Sequence, residues 1–148
     1  MMTKNDFLDQ MYIQIYDSLP SWREALYLAG EPLLHANIIS RHYLKQIEAA
    51  AEFLGPYMDV GRGIGFMHAR PEENESWGIS LLKLQEPVYL LDQTNHPLKI
   101  VIVFKGKDAK QHLKILQVLS EWLANPLQYQ FVCEATSPES IINSIKQR

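Results

Sequence analysis

A chain of 148 residues, 47% apolar and 21% charged, has the size and composition of one globular domain with a sizeable core. Its formal charge of -3 and pI near 5.9 exclude a basic nucleic-acid surface, and no apolar run approaches the roughly 20 residues of a membrane span. A single cysteine, Cys133, excludes a disulfide framework or a thiolate metal cluster. The start, Met1-Met2-Thr3-Lys4-Asn5-Asp6, lacks the basic and apolar regions of a signal peptide, so the cytoplasm is the expected compartment.

Along the chain, Met11 to Tyr16 alternates apolar and polar residues and predicts a short edge strand. Ser21-Trp22-Arg23-Glu24 has capping-box spacing and predicts a helix start. Pro32 would remove the hydrogen bond to the Leu28 carbonyl, so a kink or break is expected near Gly30. Ser40 caps a second helix whose apolar face is Tyr43, Leu44, Ile47, Ala50, Ala51 and Leu54, and Gly55-Pro56 ends it. Tyr57 to Val60 is expected to be a short strand. It delivers the chain to Gly61-Arg62-Gly63-Ile64-Gly65-Phe66-Met67-His68-Ala69-Arg70-Pro71-Glu72-Glu73, a glycine-rich loop running into a histidine, an arginine and two carboxylates.

Strands are expected at Gly78–Leu84 and, after Pro87, at Val88–Leu91. Leu98 to Phe104 is apolar except for Lys99, as suits a central strand covered on both faces. Asp108, with Gln111 three residues on, opens a helix whose apolar face is His112, Ile115, Leu116, Leu119, Trp122 and Leu123, and Asn125-Pro126 stops it. A last helix begins at Ser137-Pro138 and buries Ile141, Ile142 and Ile145. The fold class is α/β: a single-domain sandwich over residues 1–148, a sheet with helices on both faces.

Of the five histidines, His35, His42 and His96 sit among polar or turn residues and read as surface or packing positions. His112 lies in a first helical turn after a strand-to-helix connection, where open α/β sheets bind ligands; by pattern alone it reads as an apolar-face histidine satisfied by a backbone partner. His68 offers a nucleophilic imidazole beside loop amides and Arg70, a set that suits phosphoryl transfer. Glu72 and Glu73 read as a solvated charged face, and a metal site from His68, His112 and Glu72 has no recognisable ligand spacing.

Gly55-Pro56-Tyr57, the glycine loop with His68-Ala69-Arg70-Pro71-Glu72-Glu73, and Asp108-Ala109-Lys110-Gln111-His112 together resemble the EIIA component of the bacterial phosphoenolpyruvate-dependent sugar phosphotransferase system. The class is the mannitol/fructose (type-2) one, nearest its ascorbate-type branch, and the similarity runs from about Trp22 to the C-terminus. It implies a mixed β-sheet of the EIIA type-2 fold and a cytoplasmic phosphocarrier that needs no cofactor. In the family, the loop histidine accepts a phosphoryl group from HPr and passes it to a cysteine of an EIIB partner. EIIB acts with the transporter EIIC in uptake of a sugar, here an ascorbate-like one. That role falls on His68, with His112 as the second active-site histidine and Arg70, Gly65 and Met67 as phosphoryl-binding residues; a homodimer is compatible with it. The loop departs from the family pattern, with Arg62, Gly65 and Met67 at positions the family fills with Pro, Ala and Pro. Mannitol-type members carry an arginine where this chain has Ala51-Glu52, and Arg70 is the residue that would replace it. Two other readings are a regulatory module phosphorylated on His68 that binds a target protein, and an unrelated small hydrolase using His68 and His112.

Overall fold

In the computed structural model, which describes residues 2–72 and 74–146, Thr3 opens the chain's first element. Its hydroxyl accepts from the Asp6 amide while the Asp6 carboxylate accepts from the Thr3 amide, a two-way cap that starts helix α1, Lys4–Asp9. The alternation reading did not anticipate this helix, which is under two turns long. The expected edge strand is β1, Tyr12–Tyr16. Helix α2, Trp22–His35, starts at Ser21, whose hydroxyl accepts from the Glu24 amide, and runs unbroken through Pro32. The predicted break is absent because the Leu28 carbonyl, which Pro32 cannot serve, accepts the side-chain amide of Gln14 at 2.8 Å.

Ser40 caps α3, Arg41–Leu54, and Gly55 ends it at a φ of 90°. Tyr57 to Val60 is a turn carrying one bridge, Asp59 to Gly65, and not a strand. The glycine run also differs from expectation. Gly61 and Gly63 take left-handed φ values of 96° and 76° in a tight turn, after which Ile64–Met67 is a fully buried strand, β2. The two strands expected around Pro87 are one, β3, Gly78–Tyr89, with a register shift between Lys83 and Val88 where the proline has no amide to pair.

β4, Pro97–Lys105, is the expected central strand. Asp108 caps α4, Ala109–Ala124. Asn125 both ends α4 and caps a helix the sequence reading missed, α5, Pro126–Glu134, before α6, Pro138–Lys146. Ile141 and Ile145 of α6 are buried, and Ile142 is half-buried.

The sheet order is β1-β3-β4-β2, with β1 parallel to β3, β3 antiparallel to β4, and β4 parallel to β2. One core joins α2 and α3 to the face bearing Met67, Leu82, Val101 and Val103. The other joins α1, α4, α5 and α6 to the face bearing Phe66, Leu81, Ile102 and Phe104. Helices therefore cover both faces of a mixed sheet, the expected fold class. No helix among the described residues is long and apolar enough to cross a membrane.

Candidate active site at the carboxyl ends of β2 and β4

β2 and β4 are parallel neighbours, so their carboxyl ends lie side by side, where open α/β sheets place ligands. His68 is the first residue after β2. Alternation puts it on the same face as Ile64 and Phe66, toward α4. Its ring stacks on Phe104 of β4, with centroids 4.8 Å apart and an interplanar angle of 28°. Met67, one residue earlier, points the other way and is fully buried in the core beneath α2 and α3.

Gly106 lets β4 turn directly into α4. A Cβ there would fall 2.2 Å from the His112 amide nitrogen, so no side chain fits. Asp108 accepts from the Gln111 amide at 2.9 Å, which fixes the first turn of α4 and with it His112. The Gly106 amide donates to Nδ1 of His112 at 3.0 Å, and Nε2 of His112 lies 3.3 Å from Nδ1 of His68. The backbone partner read from the pattern and the facing histidine implied by the resemblance are thus two ends of one ring. Because Nδ1 accepts, neutral His112 carries its proton on Nε2 and offers it to His68.

Burial pushes the His68 imidazole below its ordinary value. His112 is pushed down to about 4, first by burial and then by the positive fields of His68 and Lys105. Both rings are therefore neutral near pH 7; in this arrangement the His68 lone pair on Nδ1 accepts from His112, and its proton sits on Nε2. Nε2 of His68 has no hydrogen-bond partner among the described residues.

Arg70 is exposed and, among the described residues, makes no hydrogen bond or ion pair, so its guanidinium is available to an anion. Glu72 is half-buried and accepts from the Ser40 hydroxyl at 2.8 Å, a tie to the cap of α3 in place of the solvated face expected; Glu73 lies outside the described residues. Gly61 and Gly63 sit at the opposite end of β2 from His68, and Gly65 is mid-strand, paired with Val101, where a Cβ would meet Leu98 at 2.9 Å. The glycines shape the turn and the packing of β2; they are not brought together with the histidines. Nor does a cation come from the end of α3, where Glu52 is ion-paired to Arg23 at 2.8 Å. No three His, Cys, Asp or Glu side chains among the described residues converge to hold a metal ion. Of the remaining histidines, His35 and His42 are exposed, and His96 is held by Asp59 at 2.7 Å.

Sequence reasoning missed two residues at this edge. Tyr43 of α3 is fully buried; its hydroxyl donates to the Phe104 carbonyl at 2.7 Å and accepts from the Ala69 amide at 3.3 Å, stitching β2 to β4 beside His68. Lys105 ends β4 with no exposed surface, and its ammonium donates to Asn74 Oδ1 and to the Ser76 carbonyl. A lysine closing a strand that is apolar from Ile100 to Phe104 was the available signal for the second. Tyr43 carried none, since an aromatic on an apolar helix face reads as core.

The family model described as phosphoenolpyruvate-dependent sugar phosphotransferase system, EIIA 2, matches residues 6–148. The chain is 29% identical over 147 residues to the mannitol-specific cryptic phosphotransferase enzyme IIA component of Escherichia coli strain K12, covering 99% of each. It is 27% identical over 116 residues to the ascorbate-specific PTS system EIIA component of the same strain, covering 78% of this chain and 75% of that one. The solution structure of the mannitol-specific cryptic phosphotransferase enzyme IIA CmtB from Escherichia coli superposes with a TM-score of 0.83 at 27% identity, covering 99% of this chain and 100% of that one.

Proposed function

The chain belongs to the phosphoenolpyruvate-dependent sugar phosphotransferase system EIIA 2 family, and on that premise we propose that it is a cytoplasmic phosphocarrier in which His68 accepts a phosphoryl group from HPr and passes it to a cysteine of an EIIB partner. The observation that carries this reading is the histidine pair: a half-buried, neutral His68 stacked on Phe104, facing a His112 whose proton is directed at it by the Gly106 amide.

In this reading a P–N bond forms at Nε2 of His68, the nitrogen the protein leaves without a partner, as the donor's P–N bond breaks. For the Nε2 lone pair to attack, the His68 proton must sit on Nδ1, and two N–H groups would then face each other across the present 3.3 Å contact. The contact must open, which frees the His112 N–H to donate to a phosphoryl oxygen in a water-poor setting where such a bond is strong. Arg70 supplies a second, two-pronged contact to the oxygens. Transfer to the EIIB thiolate reverses the bond changes and restores the pair. Choice of sugar belongs to the transporter components.

The test is incubation with phosphoenolpyruvate, enzyme I and HPr, followed by mapping of acid-labile phosphate. Phosphate is expected on His68 and absent from His68→Ala; acceptance by that variant at the wild-type rate would sink the assignment.

A further inference from the structure

A strand at the edge of a sheet presents a row of unpaired amides and carbonyls, and proteins blunt such edges with charges, prolines or bulges. At the β2 edge of this sheet the row is filled, because the Val60 amide donates to the Ile64 carbonyl and the Phe66 amide to the Met58 carbonyl. The β1 edge is open. Tyr12–Tyr16 pairs with β3 alone, and among the described residues no other group bonds its main chain. The strand itself carries no charge, proline or bulge.

Its sequence, Tyr12-Ile13-Gln14-Ile15-Tyr16, reads the same in both directions. Turned about a two-fold axis through Gln14, an antiparallel copy sets Tyr12 against Tyr16, Ile13 against Ile15 and Gln14 against itself. Both tyrosines are exposed, at 40% and 44%, and alternation puts them with Gln14 on the face toward α2. A groove of about 460 Å³ beside Tyr12, walled by Glu31, Pro32 and His35 of α2, has room for the second copy's Tyr16 ring.

The charges beside the strand are complementary in the same arrangement. His35 lies at the Tyr12 end, Leu28 at Gln14 and Glu24 at the Tyr16 end, so α2 runs against β1. On the other face α6 runs the same way, with Ile145 and Lys146 beside Met11. Each helix has its acid in the first turn, Glu24 or Glu139, and its base in the last, His35 or Lys146. A two-fold axis through Gln14 brings each acidic start toward the basic end of the same helix in the second copy.

We propose that the β1 edge is a self-association surface, where a second copy of this chain adds antiparallel about Gln14 and joins its four-stranded sheet to the first. β2, with the histidine pair at its end, lies at the far edge of each sheet, so both sites stay open. The inference does not depend on the reading of His68.

Sedimentation equilibrium of the wild-type protein at millimolar concentration should give twice the 17.1 kDa of one chain, since an interface this small is weak. Hydrogen exchange of the β1 amides should slow as the concentration rises. Tyr12→Lys with Tyr16→Lys sets like charges against each other on both sides of the axis, and should weaken association about tenfold or more. Tyr12→Lys with Tyr16→Glu sets opposite charges in the same places, and should restore association to within about twofold of wild type. Both positions are exposed, and circular dichroism checks that each variant is folded. A wild-type monomer at that concentration would leave the edge to a strand of another protein and overturn the proposal. A dimer that the two variants form equally well, or that they weaken equally, uses another surface or register and overturns it too. Should the variants fail to fold, β1 amide exchange that does not change with wild-type concentration is the overturning result.

Discussion

The chemistry proposed for the site rests on two rings being neutral, and this has a consequence for stability. His112 is depressed from its ordinary 6.5 to about 4, chiefly by burial. Between those values the unfolded chain binds more protons than the folded one, so stability rises with pH through that window and is lost as pH falls. Between pH 7 and pH 4 the loss attributable to His112 should reach about 3 kcal/mol, and the depressed His68 adds in the same direction. Urea unfolding of wild type and His112→Gln at pH 4.5 and 7 measures it. The variant should show a shallower pH dependence, and an equal slope would mean that His112 is not titrating as a buried neutral ring. Arg70 makes the opposite case, an exposed group with no partner among the described residues. Arg70→Gln is expected to slow phosphoryl transfer about tenfold or more while leaving the melting temperature within a degree or two of wild type, since exposed substitutions seldom shift stability by more than about 0.5 kcal/mol. An unchanged transfer rate would remove it from the site.

At the scale of elements, α2 shows how a helix keeps a proline. Pro32 deprives the Leu28 carbonyl of its normal donor, and Gln14 of β1 supplies one at 2.8 Å. The repair joins the edge strand to the helix that covers it. Gln14→Ala should cost about 1–2 kcal/mol, the penalty of a part-buried acceptor left unmade. In a Pro32→Ala background the helix amide returns to Leu28, so the same Gln14 substitution should cost less than half as much. A double-mutant cycle by chemical denaturation reads the coupling; additive effects would show that the Gln14 bond is incidental.

Across the whole molecule the site is assembled from both helical layers. His112 approaches from α4 on one face of the sheet, and the Tyr43 hydroxyl reaches from α3 on the other to bind Phe104 and Ala69. Tyr43→Phe keeps the ring and its packing but leaves a buried carbonyl and amide unpaired, and should cost about 2 kcal/mol. If the hydroxyl also holds β2 and β4 in register at the site, hydrogen exchange of the Ala69 amide should quicken in the folded variant. Unchanged exchange and stability would show that the strand ends are held without it.

Local signals in the sequence were sufficient for much of this fold. Ser21, Ser40 and Asp108 each cap the helix they predict, Gly55 ends α3, and the apolar run at Leu98–Phe104 is the central strand, because caps and periodicity are decided within a few residues. His68 and His112 were singled out by the motifs that carry the family resemblance, whereas pattern alone read His112 as an apolar-face residue. The tertiary structure alone decided what depended on distant partners. Pro32 does not break α2 because Gln14 lies across from it, and Gly65 belongs to a buried strand because Val101 and Leu98 lie beside it. Lys105 is buried because the segment carrying Asn74 and Ser76 closes over it. Hydrogen-bond satisfaction and exclusion from water are properties of residues brought together in space, and no window along the chain contains them.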